Sequence, residues 1–584
     1  MKFCRLFVFL LSALVPSYGQ QIAPHVCSRP VPGSVVVEPA DLRSKDGVLK
    51  VELNYYEVID ANSQTRFCFQ TEDGAQSPNI RVRPGDKLIL VLTNKIQEAV
   101  PPTTPHAMHA SIDGAVPCTS GPMTPTSTNI HFHGLEIAPT CHQDDTLMTS
   151  IQPSDPPFEY KFTIPLDQPP GLYWYHPHIH GFTRAHALGG ASGALIVEGV
   201  EGINPSVRGL PERVFVFRDQ ELINPDAEPI WTGRGPAPAV IKDADGDVIN
   251  TGTGAGKPAK DLSINFVPVP FPNYTPAVIE MRTGEKQYWR VLNASAITYV
   301  DLRLTFDNIP QRVELVAIDG IPLNYEHPEE STSVVKDHIL LPPGARAEFV
   351  VTAPRAGVKA LLVTRSVDTG RVGDNAPLRT IATIRASEST AQPRMLLDVA
   401  PSKRSVSGHV PLARVKPVRQ RLLYFSERPA NPKDPSSPTM FFVTVDGQPP
   451  QQFDPTSALP NITVHAGDVE DWIIENRSLE LHAFHIHQTH FQLLEWNGIP
   501  VSEPFLYDTI NVPYWREKMT SFPSIKIRMD FRNPGIVGTF AYHCHLLEHQ
   551  DGGMMGLIQV LPAPSKATEG ESQEGPSHRI GQQR

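Results

Sequence analysis

Short strand-like runs of apolar residues, some interrupted by charged ones, recur along the chain: Val48-Leu49-Lys50-Val51-Glu52-Leu53, Lys87-Leu88-Ile89-Leu90-Val91-Leu92 and Gly193-Ala194-Leu195-Ile196-Val197. Turn residues punctuate the runs, as in Arg83-Pro84-Gly85-Asp86, and together they predict a β-sandwich over residues 35–200.

The same grammar returns twice. Arg282-Thr283-Gly284-Glu285 precedes Tyr288-Trp289-Arg290-Val291-Leu292, and Pro342-Pro343-Gly344-Ala345-Arg346 precedes Ala347-Glu348-Phe349-Val350-Val351. Further on, Val464-His465-Ala466-Gly467-Asp468 precedes Val469-Glu470-Asp471-Trp472-Ile473-Ile474. A glycine, an acidic residue and an apolar run thus recur at 85, 284 and 467. This spacing predicts three copies of one all-β domain, at 35–200, 205–390 and 418–562, with a linker at 392–417 and a polar, disordered tail at 563–584.

Composition narrows the picture. Among 584 residues, 59 are proline, which argues against long helices. A net charge of -11 without a basic stripe excludes nucleic acid as a partner. Lys2 and Arg5, the apolar run Leu6 to Val15, and Ser17-Tyr18-Gly19 read as a signal peptide over 1–19. That run is too short to span a membrane, and no other span is evident, so a secreted or periplasmic protein is expected. Cys4 leaves with the leader. Cys27, Cys68, Cys118 and Cys141 then imply two disulfides with three possible pairings; proximity in sequence favours Cys27–Cys68 and Cys118–Cys141.

The sixth cysteine has different company. His543-Cys544-His545 leads through His549 to Met554, and thiolate, imidazole and thioether are the donors of a blue-copper site. Gly538 to Tyr542 reads as the run-in to a strand, so Cys544 can bind a metal on one face while His543 and His545 reach a second centre on the other. The His-x-His form recurs at His131-Phe132-His133, His176-Pro177-His178 and His485-Ile486-His487. Partners at i and i+2 on a strand stand about 6.6 Å apart at Cα, which suits two neighbouring ions. A cluster built from all four pairs must sit between the first and last domains. His482 is left over and can join Cys544, His549 and Met554. Structural zinc prefers closed four-ligand sets at short spacing, so this donor set favours copper. His106, Met108 and His109 read as part of a polar surface loop.

With these motifs in order, the chain resembles the multicopper oxidase family: Asn129-Ile130-His131-Phe132-His133-Gly134, Tyr173-Trp174-Tyr175-His176-Pro177-His178, His482-Ala483-Phe484-His485-Ile486-His487, and His543-Cys544-His545 through His549 to Met554. The resemblance implies three consecutive cupredoxin-like Greek-key β-sandwich domains and four copper ions. His482, Cys544, His549 and axial Met554 would be type 1 ligands, and His131 and His485 type 2 ligands. His133, His176, His178, His487, His543 and His545 would hold the type 3 pair. Ala483, Gln488 and Phe132 depart from the usual Pro, Gly and Trp. The implied reaction is laccase-like: one-electron oxidation of phenols or aromatic amines, with dioxygen reduced to water. An exposed His482 or His549 would be the route in for electrons. Asp144 or Asp145 resembles the acidic residue that many relatives place near the cluster for proton transfer. His186 and His490 would be hydrogen-bond partners of ligands rather than ligands. A metal oxidase acting on Cu(I), Mn(II) or Fe(II) is the alternative; it would need carboxylates or methionines around the type 1 histidines. A copper carrier without turnover would need only the type 1 set.

Overall fold

The computed structural model describes residues 26–97, 118, 122–230, 239–243, 246–250, 252–323, 325–326, 333–388, 394–395, 410–434, 437–455 and 459–564. The expected leader, the loop at His106–His109, most of the 392–417 linker and nearly all of the tail lie outside the described residues.

Strands dominate, and six sheets pair into three sandwiches. In each sandwich, one strand follows a Gly–acid turn and runs parallel to an earlier strand. Lys87–Asn94 lies beside Val48–Ile59, Lys286–Asn293 beside Pro211–Gln220, and Val469–Asn476 beside Arg419–Pro429. The turn chemistry explains the repeat. Gly85, Gly284 and Gly467 have φ of 88°, 70° and 104°, values that cost a residue without a Cβ little. The acidic side chain next to each glycine closes the turn by accepting the N–H three residues back. Asp86 accepts from Arg83 at 2.7 Å, Glu285 from Arg282 at 3.3 Å, and Asp468 from His465 at 2.9 Å.

Each sandwich has its own apolar core. The third core also takes in Leu188 from the first sandwich and Ile297 and Tyr299 from the second, so the boundaries are packed rather than hinged. Between the first and second, Glu212 lies between Arg81 and Arg290, and Arg290 also pairs with Glu348. Between the first and third, Asp551 accepts the backbone N–H groups of Gly181, Thr183 and Arg184. The disulfides are Cys27–Cys68 and Cys118–Cys141, the pairing favoured by proximity. Among the described residues no helix is long and apolar enough to cross a membrane.

This packing positions the histidines. One sheet of the first sandwich ends in the edge strand His131–His133, next to Gly171–His176. In the third, His482–Ile486 lies between Gly538–Cys544 and Thr509–Val512.

Candidate metal centre

Cys544 ends its strand inside the third core, where Met554 is packed with it. The Leu547–Asp551 helix then turns His549 back towards the thiol. His482 Nδ1 and His549 Nδ1 are 3.1 Å apart, and Cys544 Sγ is 3.5 and 3.7 Å from them. A point equidistant from the three atoms lies about 2.0 Å from each, close to metal–imidazole and metal–thiolate bond lengths of roughly 2.0–2.3 Å. Burial pushes the Cys544 thiol well above its usual range, so the thiolate needs a cation at hand. Met554 donates its N–H to the His549 carbonyl at 2.8 Å, and its own carbonyl accepts from Cys544 at 3.2 Å.

On the other side of that strand, His543 and His545 join the six imidazoles of the other pairs. The strand alternation is visible in each motif. Phe132 points into the first core, edge-on to Phe162 at 4.9 Å, while its flanking histidines point to the boundary. Three groups of imidazole nitrogens gather within 4.8 Å: His133, His176 and His545; His178, His487 and His543; and His131 and His485 with His133. Burial lowers the pKa of all eight, His176 to about 3 and His543 to about 4. The rings are therefore neutral and carry lone pairs. Nitrogens of His131, His133, His176, His178, His485, His487 and His545 are buried without a protein partner, and His487 Nε2 faces His543 Nε2 at 3.2 Å. Burying so many unsatisfied acceptors would be costly; metal ions between them resolve the cost. The residues present fit copper.

The opposite nitrogens are held by the protein, which sets ring orientation and tautomer. His131 Nδ1 lies 3.0 Å from Asp144 Oδ2, and His176 Nδ1, His485 Nδ1 and His543 Nδ1 bond to the carbonyls of Pro177, Asp508 and Cys544 at 2.9 Å each. His133 Nε2 lies 3.2 Å from Asp508 Oδ1.

The structure separates the two candidate carboxylates. Asp144 is buried against His131 and also accepts from Phe132 N at 2.8 Å. Asp145 instead accepts from Met148 N at 3.0 Å, within its own turn. His490 lies beside Asp508, at 3.7 Å, whereas His186 bonds to the Pro125 carbonyl and packs on Phe67 within the first sandwich, away from the cluster. The expectation of an exposed His482 or His549 does not hold. His482 is 0% exposed and His549 6%, because Glu427 and Glu480 stand at their outer edges: His482 Nε2–Glu427 Oε1 is 3.0 Å and His549 Nε2–Glu480 Oε1 is 3.5 Å. Sequence spacing carries no signal for Asp508, Arg346, Glu427 or Glu480, since none shares a local motif with the histidine it serves.

Two profiles of the multicopper oxidase family match the chain, over residues 122–201 and 430–564. The chain is 25% identical to multicopper oxidase mco of Staphylococcus aureus, covering 83% of this chain and 81% of that protein. It is 22% identical to the iron transport multicopper oxidase FET3 of Gibberella zeae, covering 76% and 69%. The solved multicopper oxidase from Campylobacter jejuni, described as a metallo-oxidase, superposes with a TM-score of 0.60 at 22% identity, covering 91% of this chain and 96% of that one. With its four histidine motifs converging between the first and third of three sandwiches, the chain belongs to the multicopper oxidase family, copper-dependent oxidoreductases that use dioxygen as electron acceptor.

Proposed function

We propose that the protein is a four-copper oxidase that couples one-electron oxidation of a low-valent metal cation to the reduction of dioxygen to water. His482, Cys544, His549 and Met554 would hold one copper, His131 and His485 a second, and the remaining six cluster histidines a pair. Bound copper supplies one-electron redox chemistry at the first position and four-electron dioxygen chemistry at the other three. Cys544 and its two neighbours give the centres a covalent connection a few bonds long. Asp144, through the oxygens facing His131 Nδ1, is the carboxylate placed to hold and pass protons at the cluster. The two disulfides support an oxidising compartment outside the cytosol.

The carrying observation for the substrate is the pair of carboxylates at the outer nitrogens of His482 and His549. This is the condition a metal oxidase requires. A cation that loses an electron gains a unit of positive charge, and a carboxylate about 4 Å away favours that product by about 4 kcal/mol at an effective dielectric of about 20. Burial, and then the nearby charges of Glu427, Asp374 and Glu548, push the Glu480 carboxyl well above its usual range. A bound cation relieves that crowding.

A second observation supports the phenol or aromatic amine reading. A cavity of 580 Å³ lined by Tyr514, Trp515 and Arg371 adjoins Leu479. Trp515 N donates to the Ser478 carbonyl at 2.9 Å, and Ser478 Oγ is 2.8 Å from His482 Nε2.

Oxygen consumption by the copper-loaded protein with ferrous, cuprous and manganous donors and a phenol, side by side, tests the choice. A metal donor is expected to be the best substrate, and Glu427→Gln and Glu480→Gln to lower its kcat/KM at least tenfold more than they lower that of the phenol. Phenol outpacing all three metals, with metal turnover unchanged in both variants, refutes it.

A further inference from the structure

Gln488 has a φ of 57°, in the left-handed region where a Cβ is strained and glycine is the usual occupant. It directly follows His487, and it is 1% exposed. Its side chain explains why a strained residue is useful here. Gln488 Nε2 donates to Asp144 Oδ2, a carboxylate 344 residues away in the first sandwich. Asp144 accepts from Phe132 N through Oδ1, and its two oxygens lie 3.1 and 3.0 Å from His131 Nδ1. The file Gln488–Asp144–His131 therefore crosses the boundary between the first and third sandwiches. It ends on a ring whose other nitrogen, Nε2, is buried without a protein partner. The chain is tied to that ring a second time at the adjoining residue, because His487 stacks on His131 with centroids 3.9 Å apart and planes 14° from parallel.

We propose that Gln488 is a positioning residue for the type 2 copper. Its carboxamide fixes the Asp144 carboxylate, which pins the Nδ1–H of His131 and turns Nε2 towards the ion. The inference rests on the ligand assignment proposed above. Without the amide, the donors left to Asp144 among the described residues, Phe132 N and His131 Nδ1, both belong to the first sandwich. The orientation of His131 is then no longer shared between the two domains that must hold the ion together. Partners of this kind are worth roughly 10–100-fold in metal affinity. A purely structural role predicts the opposite outcome: glycine at 488 relaxes the backbone and should leave copper binding untouched.

The test uses the full chain loaded with copper. Gln488→Gly removes strain and amide together. Gln488→Asn tolerates the left-handed backbone but is one methylene too short to reach Asp144, so it guards against an effect of the lost side-chain volume alone. In both variants the thiolate absorption of the type 1 site is expected to stay as in the wild type. The type 2 Cu(II) hyperfine splitting in electron paramagnetic resonance is expected to change. Type 2 copper should be lost to a competing chelator at roughly 10–100-fold lower chelator concentration. Wild-type hyperfine splitting and copper retention in both variants overturn the proposal. His131→Ala separates this from a failure of the ligand assignment. If it loses the type 2 signal while the Gln488 variants keep theirs, only the role of Gln488 falls. If it keeps that signal, the assignment and the proposal fall together.

Discussion

Arg346 belongs to the second sandwich, which contributes no candidate copper ligand, yet its removal is expected to damage the cluster. The guanidinium is 0% exposed and touches all three sandwiches. It donates to the Leu172 carbonyl of the first at 3.2 Å, to the Asp319 and Gly344 carbonyls of the second at 2.8 and 3.1 Å, and to both oxygens of Asp508 in the third at 2.7 Å each. Asp508 in turn faces His133 Nε2 at 3.2 Å. Burial alone would raise the Asp508 carboxyl; the Arg346 charge overcomes this and holds it down to about 2. In Arg346→Met the carboxylate is left buried without its bidentate partner, a change that costs roughly 3–5 kcal/mol. The protein relieves that cost by opening the boundary or by protonating Asp508, and a protonated Asp508 no longer accepts cleanly from His133. Either way copper affinity at the cluster should fall roughly 10–100-fold. Lysine should not rescue, since a point donor cannot reproduce the fork. Copper titration of metal-stripped protein against a competing chelator reads the affinity, and calorimetry reads the first unfolding transition. Equal copper retention and an unshifted transition in Arg346→Met would refute the reasoning.

Met554→Leu should raise the type 1 reduction potential and Met554→Gln lower it, because the axial donor tunes this site; potentiometric titration followed at the thiolate absorption checks both, and no change in either rejects Met554. Gly344→Ala places a Cβ 2.9 Å from His545 Cε1 and Nε2 at a φ of +89°, so copper per chain, measured by elemental analysis, should fall. Gly357→Ala is the control, strained at φ +82° but with nothing within 4 Å; it should keep its copper. Burial would raise the Glu212 carboxyl, but Arg290 and Arg81 hold it down to about 2 from an ordinary 4.5. A depressed carboxyl stabilises the fold above its unfolded value and loses that contribution as pH falls. Resistance to urea should therefore drop between about pH 4.5 and 2, and less steeply in Glu212→Gln.

Strand periodicity is a local property, and so the residues that share a strand could be matched from their spacing. That is why Phe132 and Cys544 separate from their flanking histidines in the sequence pattern as they do in the fold. It is also why the Gly–acid turns at 85, 284 and 467 mark equivalent strands of three sandwiches. The candidate metal-binding chemistry was legible for the same reason, since four motifs carry their histidines within a few residues of one another. The groups that orient those ligands obey no such period. Arg346 and Asp508 are 162 residues apart and Gln488 and Asp144 are 344 apart; only the packing of one sandwich on another brings them into contact. Asp144 and Asp145 are adjacent and chemically alike, and only the turn they share decides that Asp144 faces His131 while Asp145 bonds within the turn. The carboxylates over His482 and His549 were likewise invisible in the chain, because Glu427 and Glu480 reach those rings from different strands and loops of the third sandwich. Candidate ligands are written in short spacings; their orientation and the access to them depend on long-range contacts that buried charges and hydrogen bonds make only after the domains have packed.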